Sequence, residues 1–378
     1  MEDRELQVLV RRAKTNPDKT GTSRRSALKQ LVEATHSSSV PTKLFAASNI
    51  PEFFQDFPES EEDAINAVYD LCEDQSAQAR YRTLASISKL EKKWVKRNAD
   101  VLVQLLQSDE PNEVGVVRKA LVEHLHLDPR VTLGVLCDQI ILSNEPADQE
   151  ELAMRDNLRT LVLTFITGEL KKGQLVKYMP SGSDAEDTLI DGLISALPNL
   201  ADSDVQVILN DILLHLQFLD TPSPRGSKLS KSVLQRARAA LSDDHQAAGS
   251  RTRPLTKTRP YLGPLSTLFI SKSQENPEDL LHFYTPLTAK SVFPSIPTQD
   301  QLLVLYHFAE TLYACKSNTP NVKRVLGLTP FLFECLSATN LAEDQPQETC
   351  ILMLRRLLAV NAWFCGRLAV LIGQSGSR

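Results

Sequence analysis

The densest run of chemically capable side chains is Lys92, Lys93, Trp94, Lys96 and Arg97, four cations around one indole. Two chemistries suit it. The indole face can stack a nucleobase while the cations meet phosphate, or the same groups can meet an acidic protein partner. The stretch also reads more plainly as a solvated helix end, with Trp94 packed inward and lysine stems lying along apolar surface. A second basic run, Arg251, Arg253, Lys257 and Arg259, lies among prolines and threonines and reads either as a weak nuclear-entry address or as a solubilising tether.

The other reactive residue types do not assemble into a catalytic set. His124 and His126 flank Leu125, so on a helix they project about 200° apart and cannot share a metal as an i, i+4 pair does. Both read as surface or helix-end histidines. His307 and Cys315 fall eight residues apart on one helical face, two turns from each other, which is too far for a nucleophile and its base. The six cysteines, at positions 72, 137, 315, 335, 350 and 365, form no Cys-x-x-Cys pair and are expected to pack in apolar helical faces. Glu59, Glu61, Glu62 and Asp63, and again Asp184, Glu186 and Asp187, occupy first helical turns, where negative charge complements the helix dipole. Phosphate-binding glycine loops, zinc-protease, hydrolase and EF-hand motifs are all missing from the sequence. The expectation is a non-enzyme with no cofactor, no metal and no small-molecule substrate.

The chain has 378 residues, 42% hydrophobic and 24% charged, with 14 glycines and a net charge of -5. A negative balance argues against a surface that coats nucleic acid throughout, and leaves a local basic patch open. The first residues mix charges with apolar side chains and do not read as a signal peptide. The apolar stretch 351–372 is interrupted by Arg355, Arg356 and Arg367, so no membrane span is expected. The cysteine usage and the lack of Asn-x-Ser/Thr sites point to a reducing compartment, nuclear or cytoplasmic.

The elements that must position these groups are helices. Ala64, Ile65, Val68, Leu71 and Cys72 share one face of a helix for which Ser60 and Asp63 are the expected capping pair. Unit starts near positions 42, 76, 111, 147 and 184 are separated by 34, 35, 36 and 37 residues, a spacing that matches stacked helix pairs. Prolines 111, 129 and 146 suit first helical turns, and Asp128 suits a cap. Alternating Val, Ile and Thr runs are scarce. The chain is expected to be all-α, an alpha-alpha superhelix with a repeat domain over 1–220, a linker with a short helix over 221–260 and a smaller helical domain over 261–378. Helices are expected at 279–283, 299–316, 322–339 and 348–372. In the last, the heptad rows Leu357, Phe364, Leu371 and Leu354, Asn361, Leu368 read as a buried solenoid helix.

The segment NIPEFFQDFPESEEDAINAVYDLCEDQSAQAR combines Ile-Pro-x-Phe-Phe, Phe-Pro, Asp-Ala-Ile-Asn-Ala and Leu-Cys-Glu-Asp in the order that resembles the apoptosis inhibitor five family. The likeness continues through VLVQLLQSDEPNEVGVVRKALVEHLHLDPRVTLGVLCDQI, and more weakly in LLVLYHFAETLYAC and WFCGRLAVLI. It implies a HEAT-like N-terminal solenoid followed by an armadillo-like C-terminal one. It also implies a protein–protein scaffold that suppresses cell death and engages nuclear mRNA-export factors, such as a DEAD-box RNA helicase. Asp74, Arg80 and Ala85 fall as in the second helix of a HEAT repeat. RNA binding through Lys92 to Arg97 is the alternative.

Overall fold

A computed structural model describes residues 3–87, 92–141, 148–247 and 252–315. The expected helices at 322–339 and 348–372, the heptad rows, Pro146, Arg251 and Cys335, Cys350 and Cys365 lie outside these described residues. The chain forms two compact units, Met1–Gly192 and Leu193–Arg378. This division differs from the expected boundary at 220.

The first unit contains α1 (Asp3–Thr15), α2 (Thr22–Ala34), α3 (Val40–Asn49), α4 (Glu61–Cys72), α5 (Ala77–Ile87) and α6 (Val95–Gln104). It continues through α7 (Pro111–Leu127), α8 (Pro129–Ile140), α9 (Gln149–Lys171), α10 (Gln174–Tyr178) and most of α11 (Asp184–Ala196). Described residues contain no strand. The helices stack in two rows, α3 on α5 on α7 and α6 on α8, and α4 packs on α5, α6 on α7, α7 on α8 and α8 on α9. The expected unit starts coincide to within two residues with the starts of α3, α5, α7, α9 and α11 at 40, 77, 111, 149 and 184. The pair α1 and α2, packed together ahead of them, extends the stack toward the N-terminus.

Each helix buries the stripe its 3.6-residue period supplies. Ala64, Ile65, Val68, Leu71 and Cys72 of α4 are all buried. The aromatic motif before α4 builds a corner of the core, because Ile50, Phe53, Phe54 and Phe57 are buried between short 3-10 turns. Arg24 lies 4.6 Å over the Phe53 ring and binds Asp56, so the corner is closed by a cation stacked on an aromatic face and paired to a carboxylate.

Caps follow the expected chemistry with one correction. Pro111 and Pro129 open α7 and α8, and the Asp128 carboxylate accepts from the Val131 N–H at 3.2 Å. Ser60 does not cap α4 with its side chain, because a 3-10 turn over Pro58–Ser60 runs directly into the helix and its backbone approaches helical geometry there. A reciprocal pair occurs instead at α11. The Ser183 hydroxyl accepts from the Glu186 N–H at 3.3 Å, and the Glu186 carboxylate accepts from the Gly182 N–H at 2.8 Å. Gly192, inside α11, lets that helix reach α8: a Cβ there would sit 2.6 Å from Cys137 Cβ.

Ion pairs join successive repeats. Lys43 binds Asp74, and Arg80 binds Glu113 through Nε and Nη2 at 3.0 Å while also donating to the Asp74 carbonyl at 2.8 Å. Cations recur in this register at Lys43, Arg80, Arg118 and Arg155, spaced 37, 38 and 37 residues apart.

The second unit contains α12 (Asp202–Gln206), α13 (Pro224–Ala247), α14 (Arg259–Ser266), α15 (Pro277–Leu287) and α16 (Thr298–Ala314). The two expected helices at 279–283 and 299–316 correspond to α15 and α16. The expected linker over 221–260 is corrected: it holds the 24-residue α13, which packs on α14 and buries Ser230, Val233 and Ala237. Loop-forming composition misleads here because buried side chains satisfy the turn backbone. Gln274 donates to the carbonyls of Leu219 at 2.9 Å and Thr221 at 3.0 Å and accepts from the Ser223 N–H, with Gly226 leaving room for its amide. Asp244 accepts from the Thr258 N–H and hydroxyl at 2.9 and 2.7 Å. The basic run is consequently held in place rather than free: Lys257 pairs with Asp243 at 3.1 Å, and the Arg253 N–H donates to the Ser295 carbonyl.

Candidate functional site

The basic cluster sits at the start of α6. A 3-10 turn over Lys92–Trp94 leads into the helix, whose Val95, Asn98, Ala99 and Leu102 are buried. That register turns Lys93, Lys96, Arg97 and Asp100 to the outer face. The Lys92 side chain lies outside the described part of the structure.

Trp94 is half-buried, and its Nε1–H donates to Glu61 Oε1 at 3.0 Å. Lys93 pairs with the same Glu61 at 2.6 Å, and Arg97 Nη2 donates to Asn66 Oδ1 at 2.7 Å while lying 5.0 Å over the Tyr69 ring. Tyr69 in turn donates to Asn98 Oδ1 at 2.7 Å. Burial raises the Tyr69 hydroxyl above its ordinary value, opposed by the Arg97 charge. Three of the five sequence-derived residues therefore fasten α6 to α4 of the preceding repeat. Lys93, Lys96 and Arg97 are all exposed, and Lys96 is the one of the three that makes no ion pair or hydrogen bond among the described residues.

These residues form one wall of a groove of about 370 Å³ whose other wall is α8, with Val135, Asp138 and Gln139. Gln139 Nε2 donates to Asp100 Oδ1 at 3.4 Å across it. The groove thus carries an indole edge, cations and the two carboxylates Asp100 and Asp138. Sequence reading missed Glu61, Asn66 and the acidic wall. The spacing of 33 residues between Glu61 and Trp94, one repeat length, is the signal that links them.

His124 corrects the surface reading. It is fully buried, and its Nδ1 lies 2.8 Å from the Ala120 carbonyl, which can only accept, so Nδ1 carries the proton. Nε2 is left as a buried acceptor without a partner, and burial lowers the imidazole pKa. His126 is exposed, 5.3 Å from the Tyr178 ring.

His307 approaches Ser266 rather than Cys315: the Ser266 hydroxyl and His307 Nδ1 are 2.8 Å apart. That distance suits a nucleophile and its base, but His307 is only 7% exposed, and burial pushes its pKa down to about 4. The arrangement is that of a packed core contact. Cys72, Cys137 and Cys315 are buried, and burial pushes each thiol up to about 12. Thiolate is the reactive form, so all three are expected to resist a thiol reagent such as iodoacetamide at pH 7.5 in the native protein. Peptide mapping should show their modification rising at least about a hundredfold on denaturation; rapid native labelling at Cys137 would contradict the burial.

No cluster of three or more His, Cys, Asp or Glu is placed to hold a metal among the described residues, and no described helix is long and apolar enough to cross a membrane.

Stacked helix pairs joined by inter-repeat ion pairs define an all-α helical repeat protein of the solenoid class. The profile of the Apoptosis inhibitory protein 5 (API5) family matches residues 14–339, and the chain belongs to that family. Apoptosis inhibitor 5 of Homo sapiens is 33% identical over 163 residues, which is 42% of this chain and 31% of the relative. Apoptosis inhibitor 5-B of Xenopus laevis is 33% identical over 165 residues, and the Apoptosis inhibitor 5 homolog of Drosophila melanogaster is 31% identical over 147. The chain spans about a third of the length of these relatives, 31% for the human and frog proteins and 27% for the fly protein.

Proposed function

We propose that this chain is a non-enzymatic scaffold that restrains apoptosis by holding other proteins. Its partners are proteins of nuclear mRNA export, including a DEAD-box RNA helicase, met in the nucleus or cytoplasm. The relatives' names support the first part. The observation that carries the scaffold reading is the groove between α6 and α8, where a half-buried indole lies on the same wall as Lys96 and Asp100 and faces Asp138 of α8. Mixed charge around an aromatic anchor suits a protein surface bearing both signs. It suits a polyphosphate backbone less well, because Asp100 and Asp138 repel phosphate from the same opening.

The test is affinity capture from nuclease-treated lysate with the intact chain and with two single variants, Lys96→Glu and Asp138→Lys. Single changes are required because Lys93 and Arg97 also hold α6 against α4, so reversing all four cations would disturb the repeat itself. Each variant is expected to lose at least about tenfold of the captured export proteins. Capture that disappears with nuclease and falls only for Lys96→Glu would replace the protein-scaffold reading with RNA binding.

A further inference from the structure

The second unit contains a pocket of about 260 Å³ bounded by the 3-10 turn Leu197–Asn199, α12, α13 and the start of α14. Its floor is apolar, with Leu197, Val205 and Ala240 all buried. It is smaller than the roughly 300–1,000 Å³ typical of sites for drug-sized ligands, a size that suits one side chain and its flanking polar groups rather than a nucleotide or extended cofactor.

Three polar groups line it without being used by the fold. Tyr261 is only 4% exposed overall and lines the pocket, and its hydroxyl makes no hydrogen bond within the protein among the described residues. Burial pushes that hydroxyl up to about 12, so it remains a donor at neutral pH. The Arg236 guanidinium, near enough to act on Tyr261 electrostatically, makes no ion pair or hydrogen bond among the described residues. Asp202 likewise accepts no hydrogen bond there, and burial, then Asp244, raises its carboxyl pKa. The remaining charges, Lys257 and Asp243, satisfy each other at 3.1 Å. A phenol whose ring is buried and whose O–H is left to the solvent of an opening is a donor that an entering ligand can take over from water.

We propose that this pocket captures the C-terminal residue of a partner protein, with the Arg236 guanidinium and the Tyr261 hydroxyl donating to the terminal carboxylate. An apolar last side chain covers Leu197, Val205 and Ala240. The amide N–H of that last residue donates to Asp202, which gives the carboxylate on the pocket wall a hydrogen-bond donor. This occupant presents two acceptors, an apolar body and one donor, and the pocket presents their complements. Recognition of a chain terminus by convergent donors is a recurring mode of peptide capture, and a guanidinium matches a carboxylate better than an ammonium because it donates in a fork.

The experiment titrates the full chain into a fluorescein-labelled hexapeptide ending in Gly-Ser-Leu with a free carboxylate, beside the same peptide amidated at its C-terminus and beside octanoate as a competitor. The free acid is expected to bind and the amide to bind at least about tenfold more weakly, as expected for loss of a charge-assisted pair. Arg236→Gln and Tyr261→Phe are each expected to weaken the free acid about tenfold. Both variants should keep the wild-type Tm, since neither removed group bonds within the described fold. Equal binding of acid and amide, no binding of the acid at millimolar concentration, or unchanged binding in Arg236→Gln would overturn the proposal. Octanoate competing as strongly as the peptide would overturn it too, in favour of a site for free carboxylic acids. The groove between α6 and α8 is not involved, so the two readings stand or fall separately.

Discussion

Glu113→Ala is expected to destabilise the first unit by about 3–5 kcal/mol, the usual cost of removing one partner of a buried ion pair. The Glu113 side chain is 4% exposed and that of Arg80 18%, and the carboxylate also accepts from the Ser108 hydroxyl at 3.2 Å. Truncation leaves the Arg80 guanidinium facing an apolar gap between α5 and α7, with only the Asp74 and Gln75 carbonyls to bind. A guanidinium is not deprotonated in a protein, so the cation cannot escape by losing its proton. At roughly 2–4 °C per kcal/mol for a unit of this size, Tm should fall by on the order of 10 °C. Thermal denaturation followed by circular dichroism measures it. Glu113→Gln, which keeps the shape and one acceptor, should lose less. The pair Arg80→Met with Glu113→Leu should recover most of the loss, because an apolar pair avoids desolvating either charge. A Tm within about 2 °C of wild type for Glu113→Ala would show that the inter-repeat pair contributes little.

Acidification provides the second large effect, in the second unit. Burial holds His307 to a pKa of about 4 in the folded chain, against the ordinary value of 6.5. Between these values the unfolded chain binds a proton that the folded chain does not. The stability contributed by the neutral imidazole is therefore complete above pH 6.5 and is lost progressively as pH falls toward about 4. The gap corresponds to roughly 3 kcal/mol. The Asp74 and Glu275 carboxyls lie below their ordinary range. Burial opposes the shift at Asp74, where hydrogen bonds from Lys43 and Ser76 outweigh it; at Glu275 the Ser227 and Lys231 hydrogen bonds lead. Both add acid sensitivity, while Asp202 acts in the opposite direction. Urea denaturation at pH 7.5 and pH 4.0, compared with His307→Gln, isolates the imidazole because the carboxylates are common to both proteins. The variant should show the smaller loss by about 3 kcal/mol; equal losses would mean that His307 is protonated in the folded chain.

Much of the scaffold was legible in the sequence, and particular residues explain why. The starts of α3, α5, α7, α8, α9 and α11 were readable because proline at a first turn, Asp128 at the α8 cap and apolar stripes are local signals acting over one or two turns. The aromatic motif around Phe53, Phe54 and Phe57 carried the family resemblance, and the structure shows it as core rather than as a contact surface. Composition misled at 221–260, where Gln274 bonds backbone of the TPSP stretch and Asp244 bonds backbone of the TKTRP stretch.

The sequence by itself determined that this protein is helical and repetitive, because helix periodicity and repeat spacing are written along the chain, and the motif run from Asn49 to Arg80 carried its resemblance to the API5 family. Only the tertiary structure decided what the reactive residues are for. Trp94 and Lys93 became fasteners because Glu61, one repeat earlier, lies beneath them. His124 became a core residue, and Tyr261 and Arg236 came to share a pocket with Leu197 and Asp202. Charge and reactivity depend on burial and on partners about 30 to 60 residues away, and those distances close only when the helices pack.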